Sequence, residues 1–210
     1  RGDIFALITR LKLICDGMSD FAGTLAAGGK FARLADLLEE VFAAGESALV
    51  FTQYAKVGAR LRDALEERFK RSFPFLHGER TARQREHDIA QFNAPGPSAL
   101  ILTLRAGGLG LNLAKATHVI HYDRWWNPAV EAQATDRAHR IGQRSTVFVH
   151  PFIAQGTLEE RIDALLARKL AAAGSIVAEG ENFLSSITRA ELEECVLAGG
   201  PGNPEGPGDS

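Results

Sequence analysis

Five short apolar runs, separated by stretches of helical periodicity, constrain this chain more than any other feature. They are Ala48–Thr52, 73–77, Ala99–Thr103, 118–122 and 147–152. Continuous apolar runs of this length, without alternation, suit strands buried on both faces of a sheet. Between them the apolar residues recur at helical spacing. Phe31, Leu34, Leu37, Leu38, Val41 and Phe42 share one face, and further helices are expected over about 54–69, 82–92 and 129–140. Strands alternating with helices imply an α/β domain with a central, mainly parallel sheet flanked by helices. Ligands of such sheets bind outside the carboxyl ends of the strands. The loops at 52–53, 77–78, 103–112 and 123–128 are therefore expected to converge on one edge.

Helical extensions flank this unit. An apolar helical pattern covers about 4–14, and a Gly/Ala-rich connector runs on to Gly29. Thr157 has the character of an N-cap for a long helix ending near 173, with Glu159 and Glu160 in its first turn. The expected organisation is a helix and linker over 1–29, the α/β lobe over 30–155 and a helical extension over 156–198. A Gly/Pro-rich tail over 199–210 is expected to be disordered. With 210 residues, 45% of them hydrophobic, the chain can bury one core and carry such an appendage.

Charge and cysteine content exclude some classes. A formal net charge of -2 argues against a wholly basic nucleic-acid coat, but leaves room for a local basic surface. Cys15 and Cys195 are far apart and form no C-x-x-C pair, which disfavours structural zinc and a disulfide framework and fits a reducing cytoplasm. No apolar run reaches membrane-spanning length and no signal-peptide core opens the chain. The initial Arg1, where a natural start would be Met, reads as the beginning of an excised piece.

Three elements carry chemistry. On a helix, Gln133, Arg137 and Arg140 stand at i, i+4 and i+7 and project from one stripe. Two guanidiniums on one stripe suit a polyanion such as a nucleoside triphosphate; the alternative is an ordinary solvated basic face. The glycine-rich loop over 104–112 follows a strand, where backbone N–H groups can approach phosphate, though a plain tight turn uses the same residues. Leu113 stands where a dinucleotide fingerprint needs its third glycine. Trp125 and Trp126 lie in a polar turn before Pro128, placed for core packing or for contact with a nucleic-acid backbone.

Other signals are decoys. Gly23 to Phe31 resembles a phosphate-binding P-loop, but its spacing is one residue too long and Phe31 replaces the magnesium-binding hydroxyl. No D-E-x-H box appears, so the parts that normally hold magnesium and the β- and γ-phosphates are absent from this sequence. The basic residues from Lys56 to Arg85 are interleaved with acids, as on a salt-bridged face. His118 and His121 are three apart on a strand, face opposite sides and cannot share a metal.

The order of these elements resembles motifs IV, IVa, V, Va and VI of Swi/Snf-type ATPases, which are superfamily-two helicase-like proteins. The residues concerned are 48–54, 75–78, 105–113, 122–128 and 133–143. The Asp-Arg-Trp-Trp-Asn-Pro form of 123–128 and the continuation over 150–162 are most similar to the prokaryotic branch. The resemblance covers about 5–195, including the opening helix, and implies the second of two RecA-like lobes. ATP and Mg2+ would then be held mainly by the first lobe of the same polypeptide, with double-stranded DNA across both. Arg137 and Arg140 would be arginine fingers, Gln133 would position them, and Gly110 would approach the nucleotide. Thr52, Gln53, His77, Gly78, Thr103, Arg105, Gly107, Gly108, Asn112 and Trp126 would lie along the DNA, with Trp125 the weaker claimant. Leu104 departs from relatives that carry a second hydroxyl residue there, so one phosphate contact is missing.

The resulting expectation is half of a DNA-dependent ATPase that translocates on duplex DNA. It would be cytoplasmic and nucleoid-associated, with a DNA-bound protein as remodelling target and no membrane partner. Alone, the fragment is expected to hydrolyse no ATP. Two other readings stay open: a stand-alone DNA-binding or adaptor module from a split gene, and the second lobe of an RNA helicase.

Overall fold

The computed structural model describes residues 2–18, 29–103, 113–136, 146–173 and 187–197. In chain order the elements are α1 (Gly2–Cys15), α2 (Lys30–Ala43), β1 (Ala48–Thr52), α3 (Ala55–Phe69), β2 (Phe75–Leu76) and α4 (Ala82–Asn93). They continue with β3 (Ala99–Thr103), β4 (His118–His121), α5 (Pro128–Thr135), β5 (Phe148–Pro151), α6 (Leu158–Ala173) and α7 (Arg189–Leu197). All five strands are parallel, in the order β2-β3-β1-β4-β5. The α/β class and the parallel sheet are as the sequence implies.

Strand periodicity splits the core into two layers. Val50, Phe75, Ile101 and Ile120 pack with Leu34, Leu38, Leu61 and Leu65, so α2 and α3 cover one face. Leu49, Phe51, Leu100, Leu102 and Val119 pack with Phe92 and Ala134, so α4 and α5 cover the other. Two strands differ from the sequence reading. β2 is reduced to two residues because Pro74 has no N–H to give the ladder, although its carbonyl still accepts from Ile101 at 3.0 Å. β5 is the outermost strand beside β4, and Phe148 and Val149 are exposed rather than buried.

Helix ends follow their local sequence. Thr81 and Gln84 form a reciprocal capping box on α4. The Thr157 hydroxyl accepts the Glu159 amide at 3.1 Å, so Thr157 starts α6 as expected. The opening helix and the C-terminal extension pack on one another. Ile8 of α1 packs with Leu158, Ile162, Leu166, Leu192 and Cys195, giving one cluster shared by α1, α6 and α7. The connector over 19–28 and the tail over 199–210 lie outside the described residues. Among the described residues no helix is long and apolar enough to cross a membrane.

Gly58 shows how tightly α3 meets β2. A Cβ there would lie 2.5 Å from the Phe75 ring, which is buried and stacked on His77 with centroids 4.8 Å apart. Alanine normally stabilises a helix interior over glycine by about 1 kcal/mol, but overpacking a core costs about 1–3 kcal/mol. Gly58→Ala is therefore expected to lower the melting temperature. A rise in thermal denaturation would show that the Phe75 ring yields freely.

Candidate functional site

The strand order reverses around β1, which places the ligand-binding crevice at its carboxyl end. Thr52 and Thr103 are paired in register there, and Asp123 follows β4 at the same edge. Gln53, Tyr54, His77, Gly78, Glu79, Thr103 and Trp125 line an open cleft of about 460 Å3. The amino end of α3 opens on this cleft. Its N-cap, Tyr54, makes no side-chain cap bond and its first turn holds no acid. Its leading N–H groups are thus an electropositive feature suited to an anion.

Asp123 organises this edge from below. It is buried, accepts from the Thr52 hydroxyl and the Gln53 backbone N–H, and takes the Gln53 side-chain amide at 2.7 Å. Thr52 is itself buried and faces Asp123 rather than the cleft. Gln53 also donates to the carbonyl of Arg124, as does the buried Lys12 of α1. Glu131 of α5 accepts the Trp125 backbone N–H at 2.7 Å and bonds the Arg124 guanidinium, whose other arm reaches Asp163 of α6 at 2.7 Å. Burial pushes the Glu131 carboxyl above its usual range, against the pull of the Trp125 N–H and Arg124.

The two tryptophans lie in different surroundings. Trp125 lines the cleft. Trp126 packs edge-on against Phe5 with centroids 6.0 Å apart, and the Lys12 ammonium lies 5.8 Å from its ring.

A buried ionic cluster lies beneath the turn. Lys30 bonds Asp16 at 2.9 Å and Glu159 at 2.6 Å, joining α2, the end of α1 and α6. Burial, then Asp123, raise the Asp16 carboxyl well above its ordinary value, with Lys30 opposing. Burial lowers the Lys12 ammonium, while Asp123, Asp16 and Glu159 hold it up. These groups were missed in the sequence because Lys12 falls within an apolar helical pattern. A charge on the same face as Ile8 was the available signal.

The nucleotide-side residues are described only in part. α5 begins with Pro128 after Asn127, whose carbonyl accepts the Val130 amide. Ala134 and the His121–Thr135 hydrogen bond of 3.1 Å dock the helix on the sheet. Gln133 lies on this helix. Arg105, Gly107, Gly108, Gly110, Asn112, Arg137 and Arg140 lie outside the described residues.

Burial pushes the His121 imidazole down to about 4 from 6.5, with Arg124 adding to the shift. The unfolded chain therefore takes up its proton first as pH falls. Stability present above the unfolded value is lost between about pH 6.5 and 4, by up to about 3 kcal/mol. His121→Gln is expected to flatten the melting temperature across that window. An unaltered slope would place the pH dependence elsewhere.

The helicase conserved C-terminal domain matches residues 29–142, more than half of the chain. This chain belongs to that family. Its relatives are of the Swi/Snf type. YwqA of Bacillus subtilis is 43% identical over 197 residues, covering 91% of this chain and 21% of that protein. The mouse SWI/SNF-related matrix-associated actin-dependent regulator of chromatin subfamily A member 1 is 42% identical over 173 residues, covering 80% and 16%. This helicase lobe thus spans about a fifth of the length of the curated relatives, or less. The solved Sulfolobus solfataricus SWI2/SNF2 ATPase C-terminal domain matches with a TM-score of 0.71 and 34% identity, covering 92% of this chain and 81% of that one. The ATPase core of that protein in complex with dsDNA matches with a TM-score of 0.76 and 36% identity, covering 92% and 42%. The sheet is accordingly the RecA-like sheet of a Swi/Snf-type C-terminal lobe.

Proposed function

We propose that this helicase lobe is the second motor lobe of an ATP-dependent duplex-DNA translocase. It grips the phosphate backbone through the cleft and supplies arginine fingers to ATP on a first lobe. The cleft at the ends of β1, β2 and β3 carries this reading. An imidazole and a hydroxyl meet an uncapped helix amino end there, with the Glu79 carboxylate beside them, and an indole forms one wall. Such a donor set reads phosphate rather than base sequence. The neighbour solved with dsDNA supports the choice of polymer.

Magnesium-ATP, held mainly by the first lobe, supplies the anhydride bond that is broken. The contribution of this chain is positional. α5 carries Gln133 and leads toward Arg137 and Arg140, which stabilise charge on the transferred phosphoryl group once the lobes close. Repeated closure with alternating grips moves the lobes along one strand. A DNA-bound protein in the path is the remodelling target, and the nucleoid is the site of action.

Mixing this chain with the first lobe, with and without a short duplex, tests the reading. ATP hydrolysis is expected only with both lobes and is stimulated by the duplex. Binding of the duplex to this chain alone is expected to be weak and to fall steeply with salt. No added turnover despite duplex binding would favour a stand-alone DNA-binding module. Stimulation by RNA in place of DNA would favour an RNA helicase lobe.

A further inference from the structure

We infer that Arg80 is a positioning residue for the proposed DNA grip: paired with Asp88 of α4, it sets the turn that presents His77 and Gly78 to the cleft. The inference rests on that grip and concerns how the cleft is held in shape before a duplex arrives. Residues 77–80 form a turn closed by the Arg80 backbone N–H, which donates to the His77 carbonyl at 3.1 Å. The Arg80 side chain folds back along this turn. Its Nε donates to the Phe75 carbonyl at 3.2 Å, and its Nη2 donates to the Asp88 carboxylate at 3.0 Å. Arg80 itself does not line the cleft.

Both partners need the guanidinium. The Pro74 carbonyl accepts from Ile101 of β3, so the next carbonyl, that of Phe75, faces the free edge of the sheet. Arg80 fills the place that a neighbouring strand would take. Asp88 is buried at 3% exposure, and burial raises its carboxyl above the usual range, with Arg80, His87 and His77 opposing. A buried carboxylate left without its cation is costly, so the pair draws Arg80 onto α4 and away from solvent. The planar fork suits this task, because one guanidinium reaches a carbonyl and a carboxylate together. Arg85 braces the same turn, its Nε donating to the Arg80 carbonyl at 3.0 Å. The His77 ring stacks on Phe75, the residue whose carbonyl Arg80 holds. The imidazole and the Gly78 N–H are thus set before binding, and affinity is not spent on ordering them.

Binding of a short duplex of mixed sequence to this chain at low salt tests the inference, with thermal melts to find the temperature at which each variant is folded. Arg80→Gln is expected to weaken binding several-fold while the salt dependence keeps its wild-type slope. Loss of a direct phosphate contact would instead lower that slope by about one. Asp88→Asn supplies a test of sign. It removes a negative charge near the cleft, so charge alone would tighten binding; the positioning role predicts weakening. His77→Ala should cost less in the Arg80→Gln background than in the wild type, because Arg80 acts through His77. Wild-type affinity in folded Arg80→Gln, a reduced salt slope, or binding by Asp88→Asn as tight as wild type or tighter each overturns the inference. If Arg80→Gln does not fold, Asp88→Asn decides it. A wild-type chain that binds no duplex overturns the DNA reading together with the inference.

Discussion

Arg140→Ala, made in the polypeptide that joins this lobe to a first lobe, is expected to lower DNA-stimulated ATP turnover by roughly 10³-fold or more. Arginine fingers supplied across an interface contribute about 10³ to 10⁵ in rate in phosphoryl transfer. The reason is electrostatic. A guanidinium brought into a closed, water-poor site meets charge that develops on the transferred group, and it forfeits little reorganisation in doing so. The loss should fall on the maximal rate. Duplex affinity should stay within about twofold, because the proposed phosphate grip uses the cleft residues rather than Arg140. Steady-state hydrolysis against duplex concentration, with duplex affinity measured in parallel, separates the two quantities. Undiminished turnover would remove Arg140 from the nucleotide site. Equal loss of affinity and rate would point to a general structural defect.

Lys30→Met should produce the largest loss of stability. Lys30 bonds Asp16 and Glu159, and both carboxylates are fully buried. Removing one partner of a buried ion pair typically costs about 3–5 kcal/mol, because an uncompensated charge stays inside. For a chain of this size each kcal/mol shifts the melting temperature by about 2–4 °C, so a drop of roughly 10 °C is expected. The sign with pH follows from Asp16. Its folded value is raised by burial and Asp123, and the Lys30 ammonium works against that shift. Without Lys30 it rises further, so the folded state binds a proton more readily than the unfolded chain. The deficit should be greatest near neutrality and shrink as pH falls. Thermal melts of variant and wild type from neutral to acid pH would show this. A deficit that grows in acid would contradict the assignment.

Much of the fold was legible because its physics is local. Fully buried parallel strands write themselves as unbroken apolar runs, and β1 and β3 lie where those runs lie. The strand order and the union of α1 with α6 and α7 were not legible, since both depend on contacts between distant segments. At the site, Gln53, His77, Gly78 and Thr103 could be placed on one edge from strand ends alone. Thr52 and the tryptophan pair could not. Which way a side chain leaves a turn depends on partners such as Asp123 and Glu131, and those lie in other segments. The buried cluster of Lys12, Asp16 and Lys30 was not legible either, because only tertiary packing encloses these charges.

The placement of β1 also governs the order in which the molecule can assemble. Ala48 is synthesised before both of its ladder partners, Ala99 on one side and His118 on the other. The central strand must wait for both, and α1 must wait still longer for α6 and α7. Contacts so far apart in sequence slow the conformational search. Refolding followed by Trp126, which sits on α1, is therefore expected to lag behind formation of helical signal. Coincident phases would show that α1 docks as soon as the chain collapses. During synthesis, the same topology leaves the central, fully buried strand of the sheet unpaired until both partners emerge, and that interval exposes the chain to aggregation.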